Sequence, residues 1–249
     1  MPRSDGFCGS RKHVLDWTAS PDFSSDLERL VAPVRLRIEG SDCWMPRGHK
    51  SPREARLETF RPRPFDDSCP WSDITGWWLA HIRGANTPNW DFASAAYVDD
   101  TPGLVLVEAK AHIAELSRLG KSQRANRSTH SAENHAKIAE AIAEACSDLR
   151  RHDAGVNIQR DSHYQFSNRI AFAWRLASLG VPTILVYLGF LGDEAIAGPD
   201  RTLKDDAHWQ AVFRDHSAPV WPNSLLGVPV ATKAAPFWLL VRSRQISLG

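Results

Sequence analysis

Cysteine is scarce and scattered: the 249 residues hold Cys8, Cys43, Cys69 and Cys146, with no C-x-x-C pair. That excludes a disulfide scaffold and a ribbon-type structural zinc site. No apolar run approaches the ~18 residues a membrane span needs, and Met1 to Gly6 forms no apolar signal segment. The expectation is a protein of the reducing cytoplasm with no membrane attachment. An excess of charge of either sign is missing too, with 30 basic against 29 acidic side chains and a net charge of +1. A strongly basic coat protein and an acidic solvating tail are thereby excluded, although basic residues can still cluster on one face. There is no G-x-S-x-G, P-loop or H-E-x-x-H, which argues against the familiar nucleophile, nucleotide and zinc-protease motifs. Lysine is rare, at seven of the 30 basic residues.

What is present suffices for a sizeable core, with 43% hydrophobic and 24% charged residues. Residues 1–25 read as a polar arm and 26–249 as one domain. Leu27, Leu30 and Val31 suggest a short helix, and Val34 to Ile38 alternates like an edge strand. Ser51-Pro-Arg-Glu54 has the form of a capping box opening a helix. Residues 61–70, with three prolines, read as a loop, and 73–83 as a short helix. Trp90–Val98 and Leu104–Ala111 make a hairpin around Asp99-Asp-Thr-Pro-Gly103. Residues 132–152 form a helix capped by Ser131, with Ile138, Ile142, Ala145 and Leu149 on one stripe. Ser162 to Gln165 repeats the capping-box pattern before a second helix, closed by Gly180. Thr183–Leu188 is apolar on both faces, as a central strand is. The tail beyond Gly192 shows one clear element, Phe237–Val241. This order predicts an α/β fold with a mixed central sheet and helices on both faces.

Glu108 and Lys110 stand two residues apart in a strand, so their side chains leave the same face as Leu104 and Leu106. Val105, Val107, Ala109 and Ala111 line the other face, which makes the strand interior. Ionised groups aimed into a covered layer cost several kcal/mol unless paired or metal-bound. Asp91, one hairpin away, can approach Glu108 across the ladder. Two carboxylates with the Ala109 carbonyl are hard oxygen ligands suited to Mg²⁺ or Mn²⁺. Lys110 beside them can activate a water and stabilise charge at a phosphate. The lack of a histidine–cysteine cluster at ligand spacing points to magnesium rather than zinc.

Asp91, Glu108-Ala-Lys110 and this element order resemble the PD-(D/E)XK nuclease superfamily, the restriction-endonuclease-like fold. The resemblance covers about residues 73–190, within the domain that begins at residue 26, and the residues beyond it read as a C-terminal extension. The first acid departs from the pattern, standing in Pro88-Asn-Trp-Asp91 rather than directly after proline. The resemblance implies a Mg²⁺-dependent nuclease acting on DNA, with Asp91 and Glu108 on the metal and Lys110 serving the attacking water. It also allows a helix glutamate upstream to join the metal, Glu54 or Glu58, with Glu54 already given a capping role. The alternative is a nuclease-like fold without cleavage, binding nucleic acid or protein. If the chain oligomerises, a homodimer is expected.

Other residues can serve such a site. His112 continues the Glu108, Lys110 alternation, and Gln165 matches the glutamine that some members of the superfamily place on the following helix. Arg118, Lys121, Arg124 and Arg127 form an acid-free loop able to grip a phosphate backbone. Asn134 and His135 open the next helix, where they either face the site or serve an ordinary first turn. Trp77 and Trp78 read as core, and His208, Trp209, His216 and Trp221 show no ligand spacing.

Overall fold

The computed structural model describes residues 7–40, 43–57, 71–83, 85–122, 128–194 and 201–246. Helices α1 (Gly9–Thr18) and α2 (Phe23–Val31) lead into the short strands β1 (Leu36–Arg37) and β2 (Trp44–Met45). Helix α3 (Trp71–Trp78) precedes the hairpin β3 (Phe92–Val98) and β4 (Thr101–Lys110). Helices α4 (Thr129–Leu149) and α5 (Tyr164–Ser178) then lead to β5 (Thr183–Leu191). The chain closes with α6 (Asp206–Ser217), β6 (Pro229–Val230) and β7 (Phe237–Gln245). No helix among the described residues is long and apolar enough to cross a membrane.

The fold is α/β, on a mixed seven-stranded sheet ordered β1-β3-β4-β5-β7-β6, with β2 paired to β3. The β3–β4 pair is antiparallel, while β4–β5 and β5–β7 are parallel. A two-residue turn joins β3 to β4, Val98 standing opposite Thr101. Asp99 and Asp100 both take positive φ, 46° and 65°, the type I′ geometry that matches strand twist. Period-two alternation then sorts the layers. Val105 and Val107 meet Val14, Trp17, Phe23 and Leu27 of α1 and α2. Leu104 and Leu106 meet α4, α5 and α6 through residues such as Ile142, Ile170 and Phe213. Truncating such a buried leucine to alanine costs about 2–5 kcal/mol.

Several boundaries differ from the sequence expectation. The proposed arm contains α1, with Val14, Leu15 and Trp17 buried; their apolar patch is too short to show a helical period. Residues 51–57 form no helix. Ala55 instead exchanges two backbone hydrogen bonds with Trp90 (2.9 and 3.0 Å), so Glu54 is released from any cap. The long helix begins at Thr129 with Ser128 as its cap, accepting from the Ser131 N–H at 3.3 Å. The cap of α5 is His163 at φ 46°, with no side-chain bond; Ser162 and Gln165 form no capping box. Gly180 does close that helix at φ +91°. The 2.9 Å Gly180 N–H to Ala177 and 3.0 Å Val181 N–H to Leu176 bonds complete a Schellman motif. The C-terminal segment is no appendage, since β7 pairs with β5 over nine residues from Thr183↔Phe237 to Leu191↔Gln245. Residues 61–70 and Cys69 lie outside the described residues.

Candidate active site at the C-terminal end of β4

The parallel strands β4 and β5 end on the same edge of the sheet, the place where α/β folds build ligand crevices. A cavity of about 740 Å³ opens there. Asp91, Glu108, Gln165 and Arg169 line its floor, and Glu54, Asn89, Lys121 and Tyr164 stand on its walls. Glu108 and Lys110 are 2% and 4% exposed, so the expected covered charges are real. Asp91 precedes β3 and is half-buried. Its carboxylate accepts the Ala109 N–H at 2.8 Å. A strand residue's N–H and C=O leave by the same edge, so the Ala109 carbonyl also opens toward Asp91.

Glu108 is the hub. Its Oε1 accepts from Lys110 Nζ and from Gln165 Nε2, each at 2.6 Å. Its Oε2 accepts from Arg169 Nε at 2.7 Å. Lys110 Nζ also donates to Gln165 Oε1 at 3.2 Å, closing a three-membered network. Lys110 does not itself line the cavity; its ammonium touches groups that do. Gln165 can reach Glu108 because it is free of any helix cap. Arg169 was not anticipated. It donates to the Asn89 carbonyl at 2.7 Å and lies 4.5 Å over the Trp90 ring. Its only sequence signal is a lone arginine on the apolar stripe of Phe166, Ile170 and Ala173.

Charge is divided unevenly. Both cations go to Glu108, while Asp91 takes a backbone amide. Burial, and then the charge of Glu108, push the Asp91 carboxyl up to about 7. Burial also opposes ionisation of Glu108, but Arg169 and Lys110 outweigh it and hold Glu108 at about 2. A divalent ion fits this donor set. A carboxylate offers about four lone-pair positions, and the three donors on Glu108 leave one. Asp91 and the Ala109 carbonyl supply further hard oxygens.

The remaining candidates divide. Glu54 reaches the cavity wall, accepting from Asn89 Nδ2 at 3.0 Å and pairing with Arg11 at 3.1 Å. His112 is not brought to the cavity; it turns to Glu115 at 3.1 Å. Arg118 likewise leaves, ion-paired with Asp215 of α6. Lys121 stays, 4.6 Å over the Tyr164 ring. It is held by its N–H to the Arg160 carbonyl at 2.9 Å. Glu58, Arg124 and Arg127 lie outside the described residues. Asn134 and His135 are buried elsewhere, and Trp77 is core. Trp78, also core, shows an edge to the cavity. A separate group of possible ligands forms away from the cavity, where His81 meets His130 and Glu133, which stand three residues apart on α4.

The chain matches no protein-family model, no curated protein and no solved structure.

Proposed function

We propose that the protein is a metal-dependent phosphodiester hydrolase with a restriction-endonuclease-like core, acting on DNA. The observation that carries this is the convergence of Asp91, Glu108 and Gln165 on one cavity, with Lys110 bonded to both Glu108 and Gln165. Asp91, Glu108 and the Ala109 carbonyl would hold Mg²⁺ or Mn²⁺. When bound, that ion supplies Lewis-acid stabilisation of the phosphate and lowers the pKa of an attacking water. Lys110 carries three N–H donors. Two are spent on Glu108 and Gln165, which line the cavity, so Lys110 acts on the attacking water through these two side chains. Arg169 fixes Glu108, and Lys121 on the wall meets the phosphate backbone.

The experiment is cleavage of plasmid, single-stranded DNA and RNA with Mg²⁺ or Mn²⁺, comparing wild type with Asp91→Asn and Lys110→Ala. Cleavage surviving both substitutions removes the assignment. The Arg169–Glu108 ion pair favours a second reading, a nuclease-like fold that binds nucleic acid or protein without cleavage. Under it, Glu108 is already neutralised and calorimetry detects no Mn²⁺ bound in an Asp91-dependent way.

A further inference from the structure

We propose that His81, His130 and Glu133 form a binding site for a borderline divalent transition ion of the Zn²⁺ class, independent of the cavity at β4. The first turns of α4 place His130 and Glu133 at i and i+3, neighbours on one helix face. His81 arrives from the segment leaving α3, and its position is fixed by more than chance contact. The Asn134 side chain accepts the His81 backbone N–H at 2.7 Å and donates to the His81 carbonyl at 2.7 Å. One amide thus clamps the peptide that carries the third ligand. The His81 and His130 rings stack with centroids 4.2 Å apart and planes 23° apart. His81 Nε2 is hydrogen-bonded to Glu133 Oε2.

One nitrogen from each ring and one Glu133 oxygen lie within 4.8 Å of one another. Ligand atoms around a tetrahedral Zn²⁺, with bonds of about 2.0–2.2 Å, stand roughly 3.4 Å apart. Closing that gap needs small side-chain rotations, and His130 and Glu133 are exposed and free to make them. Two imidazoles and a carboxylate select Zn²⁺, Ni²⁺ or Cu²⁺ over Mg²⁺, which prefers an all-oxygen shell. Three protein ligands leave a position for water. His81 stands five residues before Asn86, one of the residues that line the cavity.

The test uses the full chain after chelator treatment, in the Asp91→Asn background so that ions at β4 are not counted. Zn²⁺ is titrated calorimetrically, Mg²⁺ serves as the control, and Co²⁺ is followed by its visible absorption. The expected result is one Zn²⁺ per chain, negligible Mg²⁺, and a Co²⁺ spectrum shaped by nitrogen and oxygen ligands. His130→Ala and Glu133→Gln, both at exposed positions, should each weaken Zn²⁺ at least about tenfold. Circular dichroism confirms that each variant is folded, with His130→Gln as the second choice. The melting temperature should rise with Zn²⁺ in the parent and not in the variants. Absence of stoichiometric Zn²⁺, or equal Zn²⁺ affinity in parent and variants, overturns the proposal.

Discussion

Arg169 Nε donates to Glu108 Oε2 at 2.7 Å across 61 residues of chain, joining α5 to the end of β4. Both side chains are more than nine-tenths buried. Removing Arg169 leaves Glu108 with Lys110 as its one cation and strips Oε2 of a charged hydrogen bond, a loss of about 1.5–3 kcal/mol. Arg169→Met should therefore destabilise strongly, while Arg169→Met with Glu108→Gln should recover part of the loss. Urea unfolding of the two single variants and the double variant checks this; strict additivity would show that the pair is not coupled.

Asp91→Asn should separate stability from activity. The substitution keeps an acceptor for the Ala109 N–H and removes the repulsion from Glu108. Thermal stability at pH 8 should hold or rise, while metal-dependent cleavage falls by at least about 100-fold. A stability loss above ~2 kcal/mol would contradict the charge account.

Gln165→Ala tests the network from its third corner. It removes one donor from Glu108 and one acceptor from Lys110 without creating a buried charge. Stability should fall by about 1 kcal/mol and turnover by roughly tenfold or more, with KM little changed. Single-turnover kinetics on DNA separates the two parameters.

Acid should unfold the protein partly through His216. Burial, then the neighbouring His163, Arg118 and Lys110 charges, hold its imidazole down to about 4. The unfolded chain binds that proton at about 6.5 and the native state does not. Stability is thus full above pH 6.5 and declines as pH falls toward 4, by on the order of 3 kcal/mol. Below 4 this contribution changes no further. Unfolding free energy of wild type and His216→Gln across pH 4–8 should converge in acid.

Gly189 faces Lys110 in the β4–β5 ladder. A Cβ there would stand 2.8 Å from the Trp209 ring of α6. Gly189→Ala should cost about 1–3 kcal/mol by overpacking. Trp209→Leu in that background should relieve part of it, as measured by denaturant midpoints.

The sequence exposed the parts of this molecule governed by local rules. Alternation along β4 gives the faces of Glu108 and Lys110, and the spacing to Asp91 gives their approach. The apolar run at Thr183 marks β5, and Gly180 marks the end of α5. Tertiary context decided the rest. Glu54 and Gln165 both sat in capping-box patterns, yet each side chain bonds across the fold instead. Arg169 shows locally only as an arginine on an apolar stripe, because its partners, Glu108, Asn89 and Trp90, stand on other elements. Helix α6 was legible in principle, with Asp205 accepting the His208 N–H at 2.8 Å and Trp209 and Phe213 one turn apart. Scattered Pro and Gly in the tail hid it. The cluster at His81 needed the α3–α4 contact, which no spacing rule encodes.

The two-residue turn at Asp99-Asp100 has a kinetic consequence. It brings Asp91 to Ala109 across 18 residues, a short loop to close. Arg169 must return to Glu108 across 61 residues, so its closure entropy is larger. The acids are therefore assembled beside Lys110 alone, before the second cation arrives, and they repel each other at the open end of the hairpin, opposite the turn. Docking of α5 relieves that repulsion, which places the helix's arrival and the site's neutralisation in one folding step.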